Sequence, residues 1–300
     1  MAIRSSTLLL NGTAYDIPFD VSAKKYRKAI SAPGKSSFPK NGNRYAMVLK
    51  ITDEAGNVTV VDKNDPAYGA LMLLRVLEKN PPVITMTKPS EGAYAASNSV
   101  QIQFDVTDDD SGVNPESISM KIDSSEAVST GITKTVISNG YRCIYTAELA
   151  DGAHTIKINA EDNDGNGAVQ KETAFTIDTV PPELNVPVPS EQMLTNKSGG
   201  SISGTTNDAA SGLVTVNITL NGADQGSVAV NADGTFTKAV TWRKGTNTAV
   251  IKAADQAGNF STVSRTVVYD PDAPVIVNIS IAPNPVDAGG EFVITVEAVD

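Results

Sequence analysis

Apolar and polar residues alternate with a period of two along most of this chain. Val100, Ile102, Phe104 and Val106 share one face of a stretch, and Ile118, Met120 and Ile122 share another. Val214, Val216, Ile218 and Leu220 repeat the pattern and run into Asn221-Gly222, a two-residue hairpin signal. Successive side chains of a strand point to opposite faces, so this alternation predicts half-buried β-strands. Three further strands line up with one another: Met47, Leu49, Ile51; Ile156, Ile158, Ala160; and Ala249, Ile251, Ala253. No segment carries a sustained helical period. Residues 66–77 come nearest, and Leu71 to Leu77 reads equally well as a buried last strand.

Each of those three aligned strands ends in the same turn, Asp-x-x-Gly-Asn. The copies are Asp53 to Asn57, Asp162 to Asn166 and Asp255 to Asn259, with their asparagines 109 and then 93 residues apart. Recurrence at that length indicates repeated small domains. Prolines mark the joints: Asn80-Pro81-Pro82-Val83, Val180-Pro181-Pro182-Glu183, and the variant Asp270-Pro271-Asp272-Ala273-Pro274. Proline fixes φ and extends the residue before it, so each joint reads as a stiff, extended linker. A second echo, Asp108-Asp-Asp-Ser111-Gly112 and Asp208-Ala-Ala-Ser211-Gly212, follows the second strand of each later repeat.

The expected architecture is all-β, with tandem immunoglobulin-like β-sandwich domains. A basic N-terminal β-sandwich spans 1–80, an Ig-like domain 81–180, a second 181–272, and a two-strand extension or partial module 273–300. In such a topology the Asp-x-x-Ser-Gly loop and the Gly-Asn turn sit at one end, beside the incoming linker. Two strands do not make a stable domain. Val275–Ile281 and Glu291–Val299 therefore belong to a module cut short or complete a sheet on another chain.

Charge sharpens this division. The net charge is −10, yet residues 1–80 carry +5 and residues 81–300 carry −15, counting Lys and Arg against Asp and Glu. An acidic body argues against nucleic-acid binding. Lys24, Lys25, Arg27 and Lys28 form a candidate docking cluster for an acidic protein surface, and the first domain is the expected anchor. Cys143 is the single cysteine, so the domains hold without intramolecular disulfides. The opening MAIRSSTLLLNGTAYD has three consecutive leucines, short of a signal-peptide core, and no stretch reads as a membrane span.

Candidate chemistry is sparse. His154 is the only histidine, and the next repeat places Asn247 at the same distance from its turn asparagine, which suits a strand-entry residue better than a catalytic one. Carboxylates abound but lie in turns, where Asx hydrogen bonding favours them. No catalytic or cofactor-binding residues are assigned, and the expectation is a non-enzymatic protein. The one metal reading is calcium at Asp162, Asp164 and Asn166, which match the first half of an Asp-x-Asp-x-Asn-Gly loop. That match stops at position twelve, Thr173, with Glu172 one residue early. Asp108, Asp109 and Asp110 are expected at the same sandwich end, near Glu78 and Asn80. Trp242 and Cys143 read as core residues.

Ile177-Asp-Thr-Val-Pro-Pro182, the Asp-x-x-Gly-Asn turns, Asn231-Ala-Asp233-Gly-Thr-Phe236 and Gly245-Thr-Asn247-Thr together resemble the bacterial immunoglobulin-like repeat family. The resemblance covers residues 81–272 well and 1–80 loosely. It implies one of the roles such modules serve, in adhesins, glycan-enzyme stalks and phage virions. A 300-residue chain without a readable signal looks most like the phage and prophage members. The expected role is therefore a structural virion protein of tail, baseplate or capsid, released by lysis. Its partners would be other virion proteins, copies of itself and host-surface carbohydrate, with no nucleic acid and no membrane. The alternative is a fragment of a secreted adhesin, or the non-catalytic stalk of a glycan-degrading enzyme.

Overall fold

A computed structural model describes residues 2–300, with the side chains of Leu213 and Val214 outside the described residues. The fold is all-β and consists of tandem Ig-like β-sandwich domains. The chain divides into two compact units, residues 1–93 with 98–176, and residues 94–97 with 177–300.

The first segment contributes β1 (Ile3–Leu10), β2 (Thr13–Asp16), β3 (Phe19–Asp20), β4 (Lys25–Tyr26), β5 (Tyr45–Asp53), β6 (Val58–Val61) and β7 (Leu73–Leu74). One sheet runs β2-β1-β5-β6, β7 pairs with β5, and β3 and β4 form a separate ribbon. Asn11 and Gly12 join β1 to β2 with φ of 49° and 81°, the doubly positive geometry that an Asn-Gly hairpin supplies. The buried apolar side chains here are Leu10 and Tyr45. Residues 66–77 form neither a helix nor a long buried strand. A 3-10 turn at Gly69–Met72 leads into two-residue β7, and Leu71 and Leu77 are exposed. The apolar run is too short of buried positions to hold a full strand in the sheet.

The second segment folds as β8 (Val83–Lys88), β9 (Ala93–Ala95), β10 (Ser99–Thr107), β11 (Val113–Ile122), β12 (Thr133–Ile137), β13 (Gly140–Glu148), β14 (Gly152–Asp162) and β15 (Lys171–Ile177). Two four-stranded sheets, β12-β13-β10-β8 and β11-β14-β15-β9, face each other. Val100, Ile102, Phe104 and Val106 of one sheet meet Ile118, Met120, Ile122, Ile156 and Ile158 of the other, and all are buried. Burying each large aliphatic or aromatic side chain contributes about 1.5–3 kcal/mol, so the alternation seen in the sequence holds the sandwich closed.

The third segment contains β16 (Glu183–Val188), β17 (Met193–Thr195), β18 (Gly199–Asn207), β19 (Leu213–Leu220), β20 (Ala223–Val228), β21 (Thr235–Thr241), β22 (Gly245–Asp255) and β23 (Phe260–Tyr269). Its sheets are β16-β18-β21 and β17-β23-β22-β19-β20. One strand has changed sheets. Asn221-Gly222, with φ of 52° and 78°, folds β20 straight back on β19, whereas the longer connection after Ile122 carries β12 across to the opposite sheet. Val216, Ile218, Phe236, Trp242, Ile251 and Val267 form the core.

The last element is a hairpin of β24 (Val275–Ala282) and β25 (Val293–Val299), exposed throughout. Its register repeats that of the earlier modules. Val275 lies opposite Val299, as Val83 lies opposite Thr107 and Glu183 opposite Asn207. The hairpin therefore has the pairing of a module's first two long strands.

Candidate functional site

The recurrent turn builds the same hydrogen-bonded ring three times. In each, the aspartate at the end of a strand accepts the backbone N–H of the asparagine at 2.8 Å, for Asn57, Asn166 and Asn259 alike. Its other oxygen accepts the asparagine Nδ2 at 2.9 Å from Asn57, 2.6 Å from Asn166 and 2.9 Å from Asn259. The intervening Gly56, Gly165 and Gly258 have φ of 87°, 91° and 99°, a region that penalises any Cβ. Glycine and asparagine are thus required by the turn itself.

The two later asparagines do more. The Asn166 Nδ2 also donates to the main-chain carbonyl of Glu78 at 3.3 Å, and the Asn259 Nδ2 donates to that of Asp178 at 2.7 Å. Glu78 and Asp178 each stand five residues ahead of a first strand. The turn therefore grips the incoming linker.

The Asp-x-x-Ser-Gly loop grips it from the other side. Asp108 Oδ1 accepts the N–H groups of Asp110 and Gly112 at 3.1 and 2.7 Å, and Asp208 Oδ1 does the same with Ala210 and Gly212 at 3.2 and 2.7 Å. The N–H of Ser111 then donates to Glu78 Oε1 at 2.6 Å, and that of Ser211 to Asp178 Oδ2 at 3.0 Å. Linker, loop and turn converge at one sandwich end, as the strand order requires.

Three carboxylates meet there in each case. One oxygen from each of Glu78, Asp108 and Asp162 lies within 4.8 Å of the other two, and Asp178, Asp208 and Asp255 form a matching group. None of the ion pairs among the described residues involves these six. Each like-charge pair at such a distance costs roughly 3–4 kcal/mol at a near-surface dielectric when both groups are ionised. The groups differ in how this is met. Burial pushes the Glu78 carboxyl above the usual carboxylate range, the nearby Ser111 hydroxyl and the Ser111 N–H oppose the shift, and the charges of Asp108 and Asp110 reinforce it. At Asp178 burial also works against ionisation. There the Ser211 side chain and the N–H groups of Val180 and Ser211 outweigh it, holding the carboxyl low.

Of the calcium candidates, Asp162 joins Glu78 and Asp108, and Asn166 presents its amide N–H groups to Asp162 and Glu78. Asp164 takes a different part. Its Oδ2 accepts from Ser36 Oγ at 2.6 Å and from the Glu78 N–H at 3.1 Å, while Asp110 Oδ1 accepts the Ser36 N–H at 2.9 Å. Ser36 is fully buried, so a loop of the first segment is clasped to the acidic loops of the second. Sequence reading placed Asp108 to Asp110 beside Glu78 correctly and missed Ser36, which carries no local motif.

Lys24, Lys25, Arg27 and Lys28 lie on and just after the β3–β4 ribbon, exposed, with Arg27 paired to Asp20 at 2.7 Å. His154 sits with both ring nitrogens engaged, Nδ1 at 2.8 Å from Asp123 Oδ2 and Nε2 at 2.8 Å from the Ala150 carbonyl. Trp242 is buried in the third-segment core, and Cys143 is buried in β13.

Three segments match known domain families. Residues 3–70 match a bacterial Ig-like domain, residues 82–158 a bacterial Ig domain, and residues 182–270 domain B of glucodextranase. No characterised protein matches the chain in a sequence search. Among solved structures, the fibronectin(III)-like modules of Clostridium thermocellum CbhA share 16% identity over 63% of this chain and 94% of theirs, with a TM-score of 0.42. A structure described for host cell surface retention of a 1.5-MDa bacterial ice-binding adhesin shares 18% identity over 90% of this chain and 88% of its own, with a TM-score of 0.29. Residues 3–70 and 82–158 are thus each similar to a bacterial Ig-type domain, and residues 182–270 to the B domain of glucodextranase.

Proposed function

We propose that this protein is a non-catalytic array that spaces and presents its modules at a bacterial surface or on a secreted glycan-active protein. The observation that carries this reading is the engagement of the polar loops. Glu78 of the linker binds the Ser111 loop, Asp164 and Asn166 bind the linker backbone, and Asp110 and Asp164 bind Ser36 of the first segment. The one histidine is held by two acceptors, and the third segment fills its place with Asn247. Groups committed to holding modules in order are poorly placed for proton transfer. Similarity of residues 182–270 to glucodextranase domain B supports a glycan-related setting.

A second reading is a virion structural protein, assembled with other virion proteins or with further copies of itself. The contrast between a basic first segment and acidic later ones favours it, because an exposed cationic ribbon suits docking on an acidic surface. Mass spectrometry of fractionated cultures of the source organism separates the two. Recovery with the cell-surface or secreted fraction supports the first reading, and recovery in purified phage particles replaces it with the second. Hydrolysis of a glycan by the purified chain would overturn both.

A further inference from the structure

The carboxylate group around Glu78 differs from its counterpart in one respect that bears on ligand binding. Glu78 Oε2 is buried and has no hydrogen-bond partner, and so is the hydroxyl of Ser111. Ser111 is 4% exposed and stands against the Glu78 carboxylate. In the counterpart, both oxygens of Asp178 accept backbone N–H groups, from Val180 and Ser211. The first group therefore contains two buried oxygens with unused capacity, beside Asp108 at 8% and Asp162 at 1% exposure. A buried, unpaired carboxylate oxygen is costly unless a cation or a proton meets it.

We propose that Glu78, Asp108, Asp162 and Ser111 hold a calcium ion. The donor set is all oxygen, with three carboxylates, which suits a hard divalent cation and not zinc. Oxygens on a calcium shell of about 2.3–2.6 Å radius stand no more than about 5 Å apart, and the three carboxylate oxygens lie within 4.8 Å of one another. Ser111 Oγ supplies a further oxygen, and water completes the shell. The donors come from the linker, from the loop after β10 and from the end of β14, so the ion ties the linker to two loops of the module it enters. Calcium accommodates such an irregular set more readily than magnesium, which demands near-octahedral geometry. This assignment is independent of where the array works.

The test is calorimetric titration of the chelator-treated full chain with calcium chloride, and with magnesium chloride in parallel. One calcium ion per chain is expected, with magnesium at least tenfold weaker. Glu78→Gln and Asp108→Asn should each weaken calcium binding tenfold or more, Ser111→Ala severalfold, and Asp208→Asn not at all. Thermal unfolding supplies a second readout. Without calcium, Glu78→Gln should melt at or above the parent temperature because a like charge is gone, and with calcium it should melt below it. Should one variant fail to fold by circular dichroism, the other two carry the comparison. Absence of binding heat and of any melting shift at millimolar calcium overturns the assignment. So does binding that survives Glu78→Gln and Asp108→Asn, or is lost in Asp208→Asn.

Discussion

His154 closes a pair with Asp123, its Nδ1 2.8 Å from the Asp123 Oδ2. In the next module the same places hold Asn247 and Asn221, joined Nδ2 to Oδ1 at 2.9 Å from Asn221 to Asn247. The third partner is also conserved in position. His154 Nε2 meets the carbonyl four residues before it, Ala150, and Asn247 Nδ2 meets the carbonyl four residues before it, Arg243. A neutral amide thus does in one module what an imidazole does in the other. A carboxylate and a carbonyl both only accept, so the ring is best satisfied when both its nitrogens carry protons.

The stability of the second segment should therefore depend on pH through this pair. Burial works against a charged ring, but the Ala150 carbonyl and the Asp123 carboxylate outweigh it and raise the His154 value above 6.5. Burial likewise opposes Asp123, and the hydrogen bonds from His154 and the Thr155 N–H hold it below 3.8. A raised histidine contributes fully below its unfolded value and loses its contribution as pH climbs through the folded one. A lowered aspartate contributes above its unfolded value and loses it as pH falls through the folded one. The pair is thus strongest between about pH 4 and 6.5. Thermal scans of the parent and of the double variant His154→Asn with Asp123→Asn should diverge most in that window, and the difference should shrink as pH rises through the folded His154 value. A pH-independent difference would contradict the pairing.

Ser36→Ala should loosen the clasp between the first two segments. It removes the 2.6 Å bond to Asp164 and leaves the Phe38 N–H, which Ser36 Oγ accepts at 3.0 Å, without its partner. A hydrogen bond to a charged group is worth about 1.5–3 kcal/mol. Urea unfolding should show a loss of that size. Limited proteolysis should cut within residues 75–82 sooner than in the parent, whereas unchanged cleavage would show that the clasp does not govern the linker.

Much of this architecture was legible in the sequence, and the reasons are physical. Val100 to Val106 and Val216 to Leu220 announce strands because a half-buried strand needs period two, and the prolines mark joints because they cannot extend a central ladder. The Gly-Asn turns announce themselves because positive φ selects glycine. The cluster at Glu78 was only half visible. Asp162 and Asp108 sit in motifs and the linker placed Glu78 near Asp108, but that Asp162 joins them while Asp164 turns to Ser36 shows only once the strands fix where the loops run. Ser36 was invisible, since a serine hydroxyl aimed at Asp164 leaves no trace 128 residues away in the chain. The exchange of one strand between sheets turned on a two-residue hairpin at Asn221-Gly222 against a longer loop after Ile122, a difference the strand pattern does not register.

The three turn asparagines should differ in cost when truncated, although the ring they close is the same. Asn57→Ala removes an exposed side chain that contacts Asp53 alone, and the expected loss is below about 1 kcal/mol. Asn259→Ala also removes the bond to the Asp178 carbonyl and strips a donor from Asp255, which is 4% exposed. A loss of about 2–3 kcal/mol is expected there. Equal melting shifts for the two variants would show that the linker contact adds nothing.

Cys143 offers a built-in chemical gauge of the second segment. It is fully buried in β13, opposite Phe104 of β10. Burial pushes its thiol up to about 11, with Lys134 opposing slightly. The thiolate is the reactive form, so both exposure and ionisation protect this sulfur in the folded protein. At pH 8 and 25 °C, iodoacetamide should modify the native chain far more slowly than the urea-unfolded chain. Its rate should rise along the urea curve in step with loss of the β-sheet circular dichroism signal. The pair variant of His154 and Asp123 should shift that rise to lower urea at pH 5.5, and by less at pH 8.5. Rapid labelling of the native protein at either pH would mean that the β10–β13 ladder opens without the sandwich unfolding.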